Sequence, residues 1–245
     1  MRAVSARELL DIWDVGSPQP PAQRALLLLA AANPDMSDEA LARMRIGRRD
    51  AQLLMLREQL FGPQLVSVAS CPSCEERLQL TLISRDLYAE AGDVPESIAL
   101  TVDDYRIHYR LPDSTDLLAL AQYDTVASGR DLLLRRCLQR VIHNDRDQPI
   151  EALPDHVIES IAAHMALADP QADVQLALSC PACRHQWLAT FDVVTFFWNE
   201  IEGWAQRIVH DIHVLASAYS WSEADILALS PARRQRYLDL IGTEI

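Results

Sequence analysis

The chain contains no lysine, so all 22 basic residues among its 245 are arginine, and 35 acidic residues oppose them. The formal charge of −13 argues against a general affinity for nucleic acid or anionic membranes, because both require a cationic surface. Glycine is scarce too, with seven in the whole chain, which leaves little material for a phosphate-binding loop. These shortages favour a protein that acts on protein partners.

Long hydrophobic runs are also missing. The longest, ALLLLAAA at Ala25–Ala32, falls far short of the roughly 20 apolar residues of a membrane span, and it predicts a buried helix. The first segment, MRAVSARELLDIWD, carries charges where a signal peptide has its apolar run. We therefore expect a cytoplasmic protein, in a reducing compartment, without a membrane partner.

Hydrophobic periodicity changes along the chain and predicts an α+β fold. Alternating apolar and polar residues surround two short cysteine motifs and recur from Ser97 to Pro112, whereas DSTDLLALAQYDTVASGRDLLLRRCLQRVI has helical spacing throughout. The expected architecture is an antiparallel β module of zinc-ribbon type with a helical insert, between two helical regions. Its parts are a helical region at 1–62, the β module at 63–112 and 173–193, the helical insert at 113–172 and a helical region at 194–245.

The two cysteine motifs nearly repeat each other, as VSVASCPSCEERLQL and VQLALSCPACRHQWL. A tight CPxC turn brings two sulfurs to the same side, and two such turns on adjacent hairpins supply the four thiolates of a tetrahedral zinc site. The long segment between the turns is no obstacle, since the entropy of closing a loop grows only with the logarithm of its length. The sequence predicts a closed, structural Zn²⁺ site, with four ligands: Cys71, Cys74, Cys180 and Cys183.

Several alternatives stay open at this point. Zinc knuckles often have glycine after the second cysteine, where this chain has Glu75 and Arg184, so a metal-free site or a disulfide within each turn also fits. A redox pair fits less well, because neither turn opens a helix of a βαβ unit. His185 could replace a cysteine ligand, although a solvent-facing strand residue is the simpler interpretation. Cys137 has the helical spacing of a core thiol.

No motif for catalysis is present, such as G-x-S-x-G, H-E-x-x-H or a dinucleotide fingerprint. His210 and His213 lie three residues apart, but a single helix supplies two ligands and no third is indicated. We therefore expect a protein that is not an enzyme and has no small-molecule substrate.

The C-terminal stretch FFWNEIEGWAQRIVHDIHVLASAYSWSEADILALSPARRQRYLDLI resembles the baseplate hub assembly chaperones of contractile-tailed phages, whose relatives occur in phage-derived contractile injection systems. IGRRDAQLLMLREQLFGPQL and the two CPxC turns share the resemblance, which covers most of the chain and is most specific at 194–241. It implies a non-enzymatic role in assembling the baseplate hub or its tape-measure end, and it brings no catalytic residues.

Aromatic and arginine residues concentrate in this tail, and these residue types dominate the hot spots of protein interfaces. The candidates for partner contact are Trp221, Arg233, Arg234 and Tyr237. Alternatively, the aromatic residues form the tail's own core. The second functional hypothesis is a zinc-ribbon regulator that binds nucleic acid or RNA polymerase, and the acidic charge argues against it.

Overall fold

A computed structural model describes residues 1–89, 92, 94–121, 123 and 125–243. Within these residues the chain alternates between groups of helices and short antiparallel sheets, which confirms the predicted α+β class. No described helix is both long and apolar enough to cross a membrane.

The N-terminal region is helical, as predicted. Ser5 and Glu8 form a capping box that starts the first helix, and Gly62, at φ 84°, ends the fourth. Gly16 is also required by packing, because a Cβ there would lie 2.4 Å from the Trp198 ring. The four helices are α1 (Ala6–Gly16), α2 (Pro21–Ala32), α3 (Asp38–Ala42) and α4 (Ile46–Phe61).

Eight strands form three separate antiparallel sheets among the described residues. The first and last pairs are isolated two-stranded hairpins, and the four middle strands form one sheet in chain order. The strands are β1 (Gln64–Ser70), β2 (Arg77–Ile83), β3 (Ile98–Val102), β4 (Tyr105–Tyr109), β5 (Leu138–His143), β6 (Arg146–Asp147), β7 (Gln175–Ser179) and β8 (Gln186–Thr190).

The insert is not wholly helical, which corrects the prediction for 113–172. Helical spacing was expected to continue through Ile142, but the helix ends at Cys137 and β5 pairs with β4 immediately afterwards. The helices between the sheets are α5 (Ser114–Leu120), α6 (Val126–Cys137) and α7 (Asp155–Ala168), and single 3-10 turns lie at Ser84–Leu87, Ile150–Ala152 and Pro170–Ala172.

The C-terminal region is helical, as predicted, and side-chain caps begin its last two helices. The Ser222 hydroxyl and the Asp225 carboxylate form a capping box, and the Ser230 hydroxyl accepts the Arg233 N–H just after Pro231 begins the last helix. The three helices are α8 (Val193–Tyr219), α9 (Glu223–Leu227) and α10 (Pro231–Thr243).

Two main hydrophobic cores result. The larger joins α1–α4 to the first half of α8, where Phe197 and Trp198 are fully buried and Arg24 lies 4.7 Å from the centre of the Trp198 ring. The second lies between α7 and the four-stranded sheet, around Ile107 and Val157. A smaller cluster joins α1 to the middle of α8.

The chain at both ends of the insert is hydrogen-bonded to the N-terminus of α4, and this brings the β1–β2 and β7–β8 hairpins together. The carbonyl of Pro112 accepts the Ile46 N–H at 3.1 Å, and the Asp169 carboxylate accepts the Gly47 N–H at 2.8 Å. The Gln171 amide then bonds to the backbone just beyond β2. The segment before β7 is thereby fixed beside the segment that follows β2.

Candidate metal centre

The two CPxC turns have the same backbone conformation. In the first, the Cys71 carbonyl accepts the Glu75 N–H and the Cys71 N–H donates to the Glu76 carbonyl, both at 2.9 Å. In the second, Cys180 makes the equivalent pair of bonds with Arg184 and His185, also at 2.9 Å. The near-repeat in sequence therefore produces two copies of one turn, each at the end of a hairpin.

Glu75 and Arg184 adopt the left-handed conformation that glycine supplies in other knuckles. Their φ angles are 61° and 62°. A left-handed conformation costs a residue with a Cβ roughly 1–2 kcal/mol, which the two backbone hydrogen bonds of each turn offset. The absence of glycine thus leaves the geometry of the knuckle intact.

The four predicted cysteines lie together although more than a hundred residues separate the pairs. The Cys71 and Cys183 sulfurs are 3.7 Å apart, the Cys74 and Cys180 sulfurs are 3.6 Å apart, and all four lie within 4.8 Å of one another. The first cysteine of each turn is buried and the second is exposed. Each close pair joins a buried sulfur of one hairpin to an exposed sulfur of the other, so the cluster links both hairpins.

The protonation of the cluster depends on backbone amides and on the neighbouring sulfurs. The His185 N–H, followed by the Cys74 thiol, lowers the pKa of Cys183 to about 7. The Glu76 N–H lowers the pKa of Cys74, but the Cys183 sulfur, some loss of solvation and the other two thiols together raise it to about 12. Four thiolates this close repel one another, so full deprotonation requires a bound cation.

The donor set fits zinc. Zinc–thiolate bonds of about 2.3 Å in a tetrahedron place sulfurs about 3.8 Å apart, close to the 3.7 and 3.6 Å within the two sulfur pairs here. Four soft sulfur ligands suit Zn²⁺ far better than Mg²⁺ or Ca²⁺, which prefer oxygen. Four cysteines also complete a tetrahedron, so the group has the composition of a structural site rather than a catalytic one.

The other candidate ligands lie outside this group. The His185 ring stacks on Trp187 with centroids 6.0 Å apart, and the four-residue group does not include it. His210 and His213 are exposed on α8 and belong to no metal-binding group of the described residues. Cys137 is fully buried, as predicted for a core thiol, and burial raises its pKa to about 12.

The role of two backbone N–H groups at the centre was not predicted from the sequence. Glu76 and His185 follow the second cysteine of their turns by two positions, and the N–H of each acts on the pKa of that cysteine's sulfur. The duplicated turn contained the signal, because a backbone N–H at one of these positions recurs at the equivalent position of the other turn.

The tail residues occupy three different environments. Trp221 is half-buried and stacks on Tyr219 with centroids 4.8 Å apart, while Tyr237 packs edge-on against Trp221 at 4.9 Å. Arg233 is exposed. Arg234 is only 8 % exposed and pairs with Asp211 at 3.1 Å, so its charge fastens α10 to α8.

The comparisons with known proteins identify the family. The family model described as T4 bacteriophage base plate protein matches residues 26–198, which include both CPxC turns and end near the start of the 194–241 stretch that carried the most specific resemblance. No curated protein and no solved structure matches the chain. Because the match covers more than half of its residues, the chain belongs to the T4 bacteriophage base plate protein family, which suggests a structural or assembly role in a phage tail.

Proposed function

We propose that the protein is a non-enzymatic assembly chaperone or minor component of the baseplate hub of a contractile tail. It works in the bacterial cytoplasm and binds hub or tape-measure proteins through its helical regions. The family membership over residues 26–198 carries this proposal. The resemblance of the tail to hub assembly chaperones supports the finer role.

The proposal includes one structural Zn²⁺ ion, bound by the four clustered cysteines. The metal neutralises the thiolates and connects the β1–β2 hairpin to the β7–β8 hairpin, while Glu76 and His185 donate N–H groups to the exposed sulfurs. Metal analysis of untagged protein, purified without chelator, should give about one equivalent of zinc. Metal-free protein with four titratable thiols at this cluster would contradict the zinc assignment without affecting the baseplate role.

The tail is the proposed partner surface, with Trp221 and Tyr237 as its anchors and Arg233 beside them. Arg234 serves this surface by holding α10 in place. The three half-buried rings of Tyr219, Trp221 and Tyr237 form one aromatic group between the end of α8 and the middle of α10. Such a group, with an exposed arginine nearby, has the composition of an interface hot spot.

Assembly of baseplates tests the tail directly. Chains truncated after Ala218 lose α9 and α10, and they should remain folded and loaded with metal but fail to support hub assembly. Trp221→Ala and Tyr237→Ala should each weaken partner binding by about 2 kcal/mol or more, whereas Val209→Ala, at an exposed position on α8, should not. Substitutions that mainly lower the melting temperature would instead make the aromatic group part of the protein's own core.

A further inference from the structure

An apolar groove of about 380 Å³ separates α6 from α7, and its lining residues lie well apart in sequence from the four clustered cysteines and from the C-terminal helices α9 and α10. Val126 and Leu133 line its α6 wall, Ile158 and Met165 line its α7 wall, and Leu134 and Cys137 lie at its base. Val126 is 91 % exposed, the highest value among the large apolar residues described as exposed. A cavity of roughly 150 Å³ can hold a benzene ring, so this groove has room for about two large side chains.

The lining residues of both walls have the spacing of helix surfaces that pack against a third helix. Ile158, Ala162 and Met165 follow one another at helical intervals of four and three along α7. Val126, Arg130 and Leu133 repeat that spacing along α6. An amphipathic helix binds such a groove by inserting side chains at intervals of three and four residues.

The two walls differ in charge. Asp155 and Glu159 lie one turn apart on α7, beside the line of apolar residues, and both are exposed. Arg130 lines the opposite wall. None of the three makes an ion pair within the described part of the chain. The groove therefore presents unpaired carboxylates on one side and an unpaired guanidinium on the other.

We propose that this groove binds an amphipathic helix of another tail protein, with an apolar stripe facing the groove, Lys or Arg on the flank next to α7, and Asp or Glu on the flank next to α6. The charges also fix the direction of the bound helix, because turning it end to end exchanges its flanks. A second copy of this chain is disfavoured as the occupant, since two chains of charge −13 repel each other. This contact is separate from the proposed partner surface at the C-terminal helices and does not depend on it.

Two designed helical peptides of identical composition test the charge pattern. Both have the same leucine stripe; one carries Lys on one flank and Glu on the other, and the second mixes Lys and Glu on both flanks. The segregated peptide should bind the full-length protein about tenfold more tightly, because three weak exposed charge pairs act together. Equal affinities, or no binding of either peptide at millimolar concentration, would overturn the proposal.

Matched protein variants locate the contact. The double variant Asp155→Asn/Glu159→Gln should weaken the segregated peptide about fivefold. Asp11→Asn/Asp14→Asn changes the net charge equally at two exposed positions of α1 and should leave the affinity unchanged. A similar loss in both variants would reduce the interaction to general attraction by an acidic protein and would refute a specific groove.

The apolar stripe has its own control. Val126→Ala removes an almost fully exposed side chain that the peptide should cover, so binding should weaken several-fold while the melting temperature stays constant. Leu167→Ala removes a side chain that is 80 % exposed and lies nine residues, about two and a half turns, beyond Ile158 on the opposite face of α7, and it should have no effect. Sedimentation of the free protein as a dimer that Val126→Ala dissociates would assign the groove to a second copy instead.

Discussion

The two cysteine hairpins and the helical core next to them are stabilised in different ways. Phe197, Trp198 and many leucines of α2 and α4 are fully buried in the helical core. By contrast, β1, β2, β7 and β8, all of whose residues are described, contain a single buried residue, Leu65. The remaining inward-facing residues of these strands are only half-buried.

This difference indicates what the proposed metal would contribute. An isolated two-stranded hairpin is at best marginally stable in water, because it buries too little apolar surface to offset the entropy of ordering its chain. The helical core buries far more apolar surface than the hairpins do. Cys71 and Cys180, each 1 % exposed, are the buried ends of the two hairpin turns, so the metal centre lies where apolar packing is weakest.

Loss of the metal is therefore expected to have the largest effect, and it should separate the behaviour of the hairpins from that of the helical core. Binding of structural zinc by small modules is worth on the order of 10 kcal/mol. Cys71→Ser or Cys180→Ser should unprotect the amides of all four hairpin strands while α4 and α8 stay protected. Hydrogen exchange measured by mass spectrometry gives both regions in one experiment.

The fifth cysteine supplies the control for this experiment. Cys137 is buried as well but lies outside the sulfur cluster, so Cys137→Ala should leave the protection of the hairpins unchanged. Simultaneous loss of protection in hairpins and helices after Cys71→Ser would show that the two regions fold as one unit and are not stabilised separately.

A substitution in the helical core should have the opposite pattern. Phe197 is fully buried and meets the Phe61 ring edge-on, with centroids 6.1 Å apart. Phe197→Ala should lower the free energy of unfolding by about 3–5 kcal/mol, while the folded fraction keeps its full zinc content. Phe196→Ala, at the half-buried position beside it, should cost clearly less in the same denaturant titration.

Arg57 joins the two regions and should give an intermediate effect. Its guanidinium, buried on α4, donates to the Glu200 carboxylate on α8 and to the carbonyls of Gly62 and Gln64 where β1 begins, all between 2.5 and 2.7 Å. Lysine cannot reproduce this planar set of bonds, so Arg57→Lys should cost about 1.5–3 kcal/mol. Thermal unfolding should detect it, and the exposed Arg48→Lys on the same helix should be neutral.

The sequence predicts the local structure of the hairpins but not all of the insert. Alternation around each CPxC turn is a signal of period two, and it identified β1, β2, β7 and β8 correctly. At β5 the signal misleads, because Leu134, Cys137, Leu138 and Val141 are all buried at intervals that also suit a helix. Pairing with the free edge of β4 decides the outcome, and that edge lies about thirty residues away in the chain.

The clustering of the four cysteines was predictable for a chemical reason. One CPxC turn supplies half of a tetrahedral site, so a second turn predicts its partner whatever the length of chain between them. Arg57 and Glu200 carry no such signal, since an arginine and a glutamate 143 residues apart are common in any sequence. The groove between α6 and α7 likewise depends on the packing of two helices that the periodicity locates but does not orient.

The smallest expected effect concerns the turns themselves and refines the comparison within the hairpins. Glu75 holds a φ of 61°, a conformation that glycine adopts without steric cost. Relief of roughly 1–2 kcal/mol of steric cost is partly cancelled by the roughly 0.5–1 kcal/mol of extra chain entropy that glycine loses on folding. Glu75→Gly should therefore stabilise the β1–β2 turn by about 0.5–1 kcal/mol, seen as slower transfer of zinc to a competing chelator. The neighbouring Glu76→Gly relieves no left-handed residue and should accelerate transfer slightly. Acceleration by Glu75→Gly as well would mean that the glutamate side chain, rather than the backbone conformation, stabilises this turn.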